Sequence, residues 1–340
     1  MFRSGIKWLF LIMGTTIGAG YASGREIWQF FGPDSLLAIP LFALLFSICV
    51  FVIMTISYEQ KSVHYIPILR ILLGKKLTSM YDAMIVVYLF STTVIMLAGG
   101  GASLEMLNVP YWIGILIISM LVVGLFLWDI RGMLSMNMVL IPVLVTLLVI
   151  VLGTFFFSGP NRTTLSWNMS EKWPAALTFT AFNILGLLAV LAGIGSQIKQ
   201  KGEIWIASIG SGILLGAISL LYNESLVKVG NDVMVLYEIP LFAILKHYPY
   251  SMIVLMSALL WSAIYTTAVS GVFGLISRMS DVIDWPMWLF AFVIVVMMVP
   301  LTKFGFANLI AVLYPIYGVL NLYVLASILI YPLVKRYRLS

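Results

Sequence analysis

Near its N-terminus the chain reads Met13-Gly-Thr-Thr-Ile-Gly-Ala-Gly-Tyr-Ala-Ser-Gly24, in the middle of its first long apolar run. Four glycines and three Ser/Thr residues in twelve positions make a poor continuous helix, because each interior glycine costs roughly 1 kcal/mol relative to alanine. In hydrocarbon, unpaired backbone polar groups are tolerated only where they line a protein cavity or meet a ligand. A first helix broken in this way, in an otherwise apolar chain, points to a carrier's binding site.

The remainder of the chain supports a membrane setting. Of 340 residues, 62% are hydrophobic and 9% charged, and the mean hydropathy is +1.09. That composition excludes a soluble domain. The net charge of +6 sits in short loops between apolar runs, which argues against nucleic acid as a partner. The single cysteine, Cys49, lies in an apolar segment, and His64 and His247 stand far apart in predicted loops. Neither a disulfide framework nor a metal cluster is expected, and no cofactor. Arg3 and Lys7 precede an apolar run like a signal peptide's, but no small-residue cleavage site leads into soluble sequence, so a retained first helix is predicted.

Runs long enough to cross a bilayer, which takes roughly 20 residues, fall at 6–31, 35–58, 78–104, 110–128, 132–157, 175–198, 203–227, 250–279, 285–302 and 306–334. Ten spans place both termini on one side. Six of the 19 Lys/Arg residues then lie on the far side (Arg25, Arg162, Lys172, Lys228, Lys246, Lys303) and the other thirteen on the terminal side. The positive-inside rule predicts cytoplasmic termini and a multi-pass protein of the cell's inner (plasma) membrane.

A repeat lies in the loops. Ile66-Pro-Ile-Leu-Arg-Ile-Leu72 follows span 2, and Ile239-Pro-Leu-Phe-Ala-Ile-Leu245 follows span 7. Both read as short helices opened by proline, whose missing N–H costs nothing at a helix start. The same offset carries Gly14 to the neighbourhood of Gly186 in span 6. There Thr178-Phe-Thr-Ala-Phe-Asn-Ile-Leu-Gly186, with Gly193 and Gly195 beyond, predicts a second interrupted helix. Five spans per half is odd, so the expected organisation is an inverted 5+5 repeat. Residues 1–157 form the first half, 158–174 an external connecting loop and 175–340 the second half, as in alternating-access carriers.

The segment Gly14-Thr-Thr-Ile-Gly-Ala-Gly-Tyr-Ala-Ser-Gly-Arg-Glu26 resembles the first-helix signature of the amino acid–polyamine–organocation (APC) superfamily. The whole chain is similar to the YkvI-like bacterial membrane proteins within it. Thr266-Thr-Ala-Val269 in span 8 resembles the matching segment of branched-chain amino acid carriers. The resemblance implies an all-α polytopic LeuT-type fold, cation-coupled uptake, and a substrate beside breaks in helices 1 and 6.

Several groups are candidates for the site. In span 1, the backbone N–H groups near Gly18, Ala19 and Gly20 suit a substrate carboxylate, with Thr15 and Thr16 beside them; close helix packing is the bland alternative. In span 6, Thr180, Asn183 and Gly186 stand at the expected second break, and the two polar side chains can equally cap their own helix. Span 3 places Tyr88, Ser91, Thr92 and Ile95 on one helical stripe, and span 10 places Tyr314, Tyr317 and Asn321 on another. Span 8 carries Ser262, Thr266 and Ser270 on one face, with Thr267 adjacent. Carried over from the fold, Thr266 and Thr267 with the carbonyls of Gly14 and Ile17 would hold Na⁺, a hard cation that prefers oxygen. Hydroxyls bonded back to the preceding turn are the plain alternative. Some relatives use a lysine in helix 5 instead. Span 5 has none, only Ser135, Asn137, Thr146 and Thr154 as polar residues, which favours Na⁺ over H⁺ as the coupling ion.

Ionisable residues at membrane depth are functional suspects because placing them there is costly. Glu26 could bind a substrate amine, relay a proton, or sit half exposed in an outer vestibule. Arg25 is offset by one position from the outer-gate arginine of related carriers, and span 10 has no carboxylate to pair with it; Tyr317 is the other gating candidate. Asp82 and Glu105 read as interfacial.

The expected function is an ion-gradient-driven symporter of a small polar organic solute, an amino acid or related compound. A ligand-sensing or ion-conducting receptor subunit resembling the germinant receptors is the alternative on the same fold. No catalytic constellation is spaced to assemble, so an enzyme is not expected. The partners expected are the solute and the lipid bilayer, and the sequence names no protein partner.

Overall fold

The structure, a computed structural model, describes residues 2–33, 35–127, 131–158, 172–230, 236–279 and 285–339, with side chains left aside at 131–139 and 335–339. Most of the connecting loop, with Asn161, Arg162 and Asn168 in it, lies outside these residues. So do the side chains of Arg131, Ser135, Asn137, Lys335, Arg336 and Arg338.

Eight helices among the described residues are long and apolar enough to cross a bilayer. Ala38–Glu59, α4, is typical: its 22 residues, at about 1.5 Å each, match a hydrocarbon core roughly 30 Å thick. The others include α5 (Ile66–Glu105), α7 (Arg131–Ser158), α8 (Trp173–Gly193), α9 (Lys201–Val229) and α11 (Tyr250–Met279). Met287–Met298, α12, runs on as a 3-10 turn, Val299–Phe304. The last apolar stretch divides at Asn321 into α13 (Phe306–Leu320) and α14 (Leu322–Leu339). The shorter apolar helix Tyr111–Leu125, α6, and a divided first span complete the ten segments read from the sequence. The chain is a multi-pass, all-α membrane protein.

The first span divides where its glycines fall. Phe2–Thr16, α1, stops before Gly18, whose backbone is extended. One helical turn follows, Ala19–Ala22 (α2), then a second break and Arg25–Phe30 (α3). Gly24 marks that second break with φ 80°, a left-handed conformation that glycine adopts without steric cost. A Cβ there would also lie 2.7 Å from the Tyr222 hydroxyl. Ser23 stitches the turn, donating to the Gly20 carbonyl at 2.7 Å and accepting from the Arg25 N–H at 3.2 Å.

Span 6 departs from expectation. Trp173–Gly193 is one continuous helix through Gly186, and irregular backbone begins only at Ile194, followed by the 3-10 turn Gly195–Gln197. A single glycine flanked by Ile184, Leu185, Leu187, Leu188 and Ala189 carries one penalty of about 1 kcal/mol among good helix formers. Span 1 stacks several such penalties within three turns.

The two proline-opened loop helices are both present. Pro67 opens α5, which kinks at Gly74 before entering the membrane. Pro240 caps the short helix Leu241–Leu245, α10, all five residues of which are buried. The Leu241 N–H donates to the Ser23 carbonyl at 2.9 Å, so this loop helix sits on the second break of span 1.

Span 1 is fastened to span 7 (α9) along its length. The Trp8 indole donates to buried Glu203 at 3.0 Å. Further along, the Tyr21 hydroxyl pairs with Ser219 at 2.8 Å, and Tyr222 donates to the Ala22 carbonyl at 2.8 Å. Elsewhere α5 packs along α11, and α4 along α8 and α9. Asn223, within α9 and first residue of the glycosylation-type sequence Asn223-Glu-Ser225, is fully buried and so closed to that modification in the folded chain.

Candidate functional site

A cavity of about 210 Å³ opens at the first break of span 1. Span 1 contributes Thr15, Thr16, Gly18, Ala19 and Gly20, and α3 contributes Glu26. Tyr88, Leu89, Thr92 and Met96 come from α5, and Phe182, Asn183 and Gly186 from α8. Thr267, Ser270 and Gly271 of α11 and Tyr314 of α13 close the wall.

The backbone at the break is short of partners. Ile17 donates to Met13 and Gly18 to Thr16, and the next N–H to find a carbonyl is that of Ala22, on Gly18. Among the described residues, the N–H groups of Ala19, Gly20 and Tyr21 and the carbonyls of Gly14 and Ile17 have no hydrogen bond. These are the orphan groups left at any helix end. The Thr16 hydroxyl is buried and also lacks a partner.

The other Ser and Thr hydroxyls of the cavity spend their protons on their own helices. Thr15 donates to Leu11 at 2.8 Å, Thr92 to Tyr88 at 2.8 Å, Thr267 to Ala263 at 2.7 Å and Ser270 to Thr266 at 2.8 Å. A hydroxyl whose proton is committed offers only lone pairs to a third group. Four of the wall's hydroxyls are therefore acceptors. Asn183 gives one of its two Nδ2 protons to the Phe179 carbonyl at 2.8 Å.

Among the described residues, Glu26 is the one carboxylate in the wall. It is 5% exposed and, among the described residues, has neither a hydrogen bond nor an ion pair. Its side chain folds back over α2: a Cβ added at Gly20 would lie 2.1 Å from its Oε1. Aromatic rings form the opposite wall. Phe182 and Tyr314 stack at 4.4 Å between centroids, and Tyr88 lies edge-on to Phe182 at 6.4 Å.

Some predicted residues stand elsewhere. Ser91 and Tyr317 bond to each other behind Tyr88, and Tyr317 meets the Tyr88 ring edge-on at 5.2 Å. Thr180 is buried, donates to Ala176, and is not part of the cavity wall. Thr266 is one position behind the wall, donating to Ala263 at 3.1 Å. The carbonyls of Gly14 and Ile17 belong to the break itself.

Arg25 is not part of the cavity wall. It is 4% exposed, and its Nε and Nη1 find no acceptor. The acidic group acting on it is Glu238, in the loop before α10. Glu238 also accepts the Phe306 N–H at 3.1 Å at the start of α13. Burial raises the Glu238 carboxyl above the ordinary carboxylate range. The Phe306 N–H opposes that rise, Glu105 adds to it, and Arg25 opposes it.

Sequence reasoning did not single out Glu238, because it reaches span 10 from a loop far away in the chain. Nor did it single out Leu89, Met96, Phe182 or Gly271 of the wall; Phe182 could have been found as the neighbour of Asn183.

No family model matches the chain. It is 47% identical over 338 residues to the uncharacterized protein YyaD of Bacillus subtilis (strain 168), covering 99% of this chain and 100% of that protein. The chain belongs to the YyaD family. The family extends in likeness to YkvI, an uncharacterized membrane protein of the same organism, at 23% identity over 94% of both chains. Among solved structures, the fold is that of MhsT in complex with L-phenylalanine, with a TM-score of 0.65, 16% identity, and 94% of this chain and 87% of that one covered. Mhp1 in its inward-facing conformation matches with a TM-score of 0.60 at 15% identity, over 99% of this chain and 77% of that one. The LeuT-type fold expected from the first-helix signature is thus the fold the family has.

Proposed function

We propose that the chain is a secondary transporter that carries a small polar organic solute across the inner membrane, driven by an ion gradient. The observation that carries this reading is the cavity at the first break of span 1, where orphan backbone groups, unpartnered Thr16 and Glu26 converge. Such groups are costly in hydrocarbon unless a ligand completes them. The cavity volume of about 210 Å³ suits a solute of amino-acid size, and the L-phenylalanine complex of MhsT supports an amino acid or related compound. The halves 1–157 and 175–340, joined by 158–174, would rock about this fixed site, with both termini cytoplasmic.

Na⁺ is the coupling ion in this reading. The free carbonyls of Gly14 and Ile17 and the lone pairs of Thr267 supply the hard oxygen donors it needs, and Thr266 stands behind them. A bound cation there would complete the carbonyl ends of α1 and add positive charge next to the solute pocket.

The test is uptake into liposomes containing the purified full-length protein, with labelled small amines and amino acids under imposed Na⁺, H⁺ or no gradient. Uptake that requires a gradient is the expected result. Saturable binding without uptake under any gradient would overturn the carrier reading.

A further inference from the structure

Resting on the carrier reading above, we propose that the solute is a small organic cation whose protonated amine docks on Glu26, and that no carboxylate is required for recognition. Three observations converge on this assignment.

The first is the state of the carboxylate. Glu26 is 5% exposed, lines the cavity and has no partner among the described residues. Among the described residues, the titratable groups that face it from neighbouring elements are Tyr21 on α2, Tyr88 on α5 and Tyr314 on α13. None is a cation, and Asn183 is the polar contribution of α8 to the wall. Adjacent Arg25 turns to Glu238 instead. A buried carboxylate without a counter-charge is strongly unfavourable, so a cation supplied from outside stabilises the loaded state.

The second is where that carboxylate lies. The only unpaired N–H groups of the break are those of Ala19, Gly20 and Tyr21, and the Glu26 Oε1 already lies against Gly20. A solute carboxylate seeking these donors would have to displace the Glu26 carboxyl group, which already lies against them. The continuous course of α8 through Gly186 removes the second set of free backbone donors that could have held it on the opposite wall.

The third is the chemistry of the remaining wall. Thr15, Thr92, Thr267 and Ser270 have given their protons to their own helices, so they present acceptors. The stacked Phe182–Tyr314 pair and the Tyr88 ring add π faces, which favour an ammonium, and the Tyr88 and Tyr314 hydroxyls are donors for a neutral polar group of the solute. The Glu26 carboxyl, the four acceptor hydroxyls and the aromatic rings together suit an N–H⁺ group, and the donors that remain, among them Thr16, serve the solute's other polar atoms.

The experiment compares amino acids with the amines they become when the carboxylate is removed: L-phenylalanine with phenethylamine, L-valine with isobutylamine, L-serine with ethanolamine. Thermal protection of the purified full-length protein and uptake into liposomes are measured for each pair, in wild type, Glu26→Gln and Glu26→Asp. At least one amine is expected to act at roughly tenfold lower concentration than its parent. Glu26→Gln should weaken that amine by roughly thirtyfold or more, as removal of one partner of a buried charge pair does. Glu26→Asp, which keeps the charge, should retain part of the affinity, and the ligand-free melting temperature of Glu26→Gln shows that it folds. Parents acting as well as their amines, or amine binding untouched in Glu26→Gln, would overturn the inference. Uptake of a neutral solute with no amine bound would also overturn it while leaving the carrier reading intact. Glu26-dependent amine binding with no uptake under any gradient would do the reverse.

Discussion

Glu238 accepts the Phe306 backbone N–H at 3.1 Å, so a loop that follows span 7 caps the first turn of span 10. The carboxylate satisfies one orphan donor of the helix and lies at the positive end of its dipole. Glu238→Ala should lower stability by about 1 kcal/mol, the usual value of an N-terminal cap, read as a drop in melting temperature in detergent. The pH dependence has a definite sign. A carboxyl whose folded pKa is raised binds more protons in the native state than in the unfolded one, so its contribution declines as pH rises from the ordinary carboxylate value through the raised one. Above that window the contribution is constant. Subtracting the Glu238→Gln profile from wild type should therefore leave a stability difference that falls with rising pH; a flat or rising difference would contradict the burial of Glu238.

Gly20 and Gly18 should part company on substitution. A methyl group at Gly20 would meet Glu26 Oε1 at 2.1 Å, whereas one at Gly18 meets nothing within 4 Å. Gly20→Ala is expected to push the Glu26 carboxyl out of its place and reduce uptake at least tenfold, on the order of a misplacement near 1 Å in a positioned site. Gly18→Ala should fold with near wild-type stability. Equal uptake defects in the two variants would count against a specific role for the Gly20–Glu26 contact.

Removing one hydroxyl tests how the unwound stretch is held. Tyr222 is fully buried and donates to the Ala22 carbonyl at 2.8 Å. Tyr222→Phe leaves that carbonyl without its donor at a cost of about 1–3 kcal/mol. A melting temperature unchanged from wild type would show that the bond adds nothing to the fold.

Coupling can be separated from solute binding at span 8. Thr267→Ala should raise the Na⁺ concentration needed for half-maximal uptake by roughly tenfold, comparable to losses seen when a group supporting a metal is removed. Thr266→Ala, one position behind the wall, should shift it less. Uptake in wild type that ignores Na⁺ altogether would remove the ion assignment.

The fold was legible because its strongest signals are local. Apolar runs have to match the bilayer, prolines open the loop helices where their missing N–H is harmless, and the clustered glycines of span 1 break the helix where they stand. The same reasoning overreached at Gly186, since one glycine among Leu, Ile and Ala does not outweigh a helix whose every backbone group must be paired in lipid. Of the site, the break and the polar faces of spans 3 and 8 could be read from spacing. Glu238 at the start of span 10, and the return of the Glu26 side chain onto Gly20, could not. Both depend on segments brought together by packing, and neither leaves a periodic trace in the chain.

The fastening of span 1 to span 7 has a mechanical consequence. Trp8 to Glu203 holds one half of the divided helix, and Tyr21 to Ser219 with Tyr222 to Ala22 holds the turn beyond the break. Because each rivet joins the same two partners, the discontinuity at Gly18 is not a free joint. If the chain works as the proposed carrier, the displacement that exposes the cavity to one side and then the other carries span 7 along as a splint, and spectroscopic distances between α1 and α9 should stay constant while those from either helix to the rest of the bundle change.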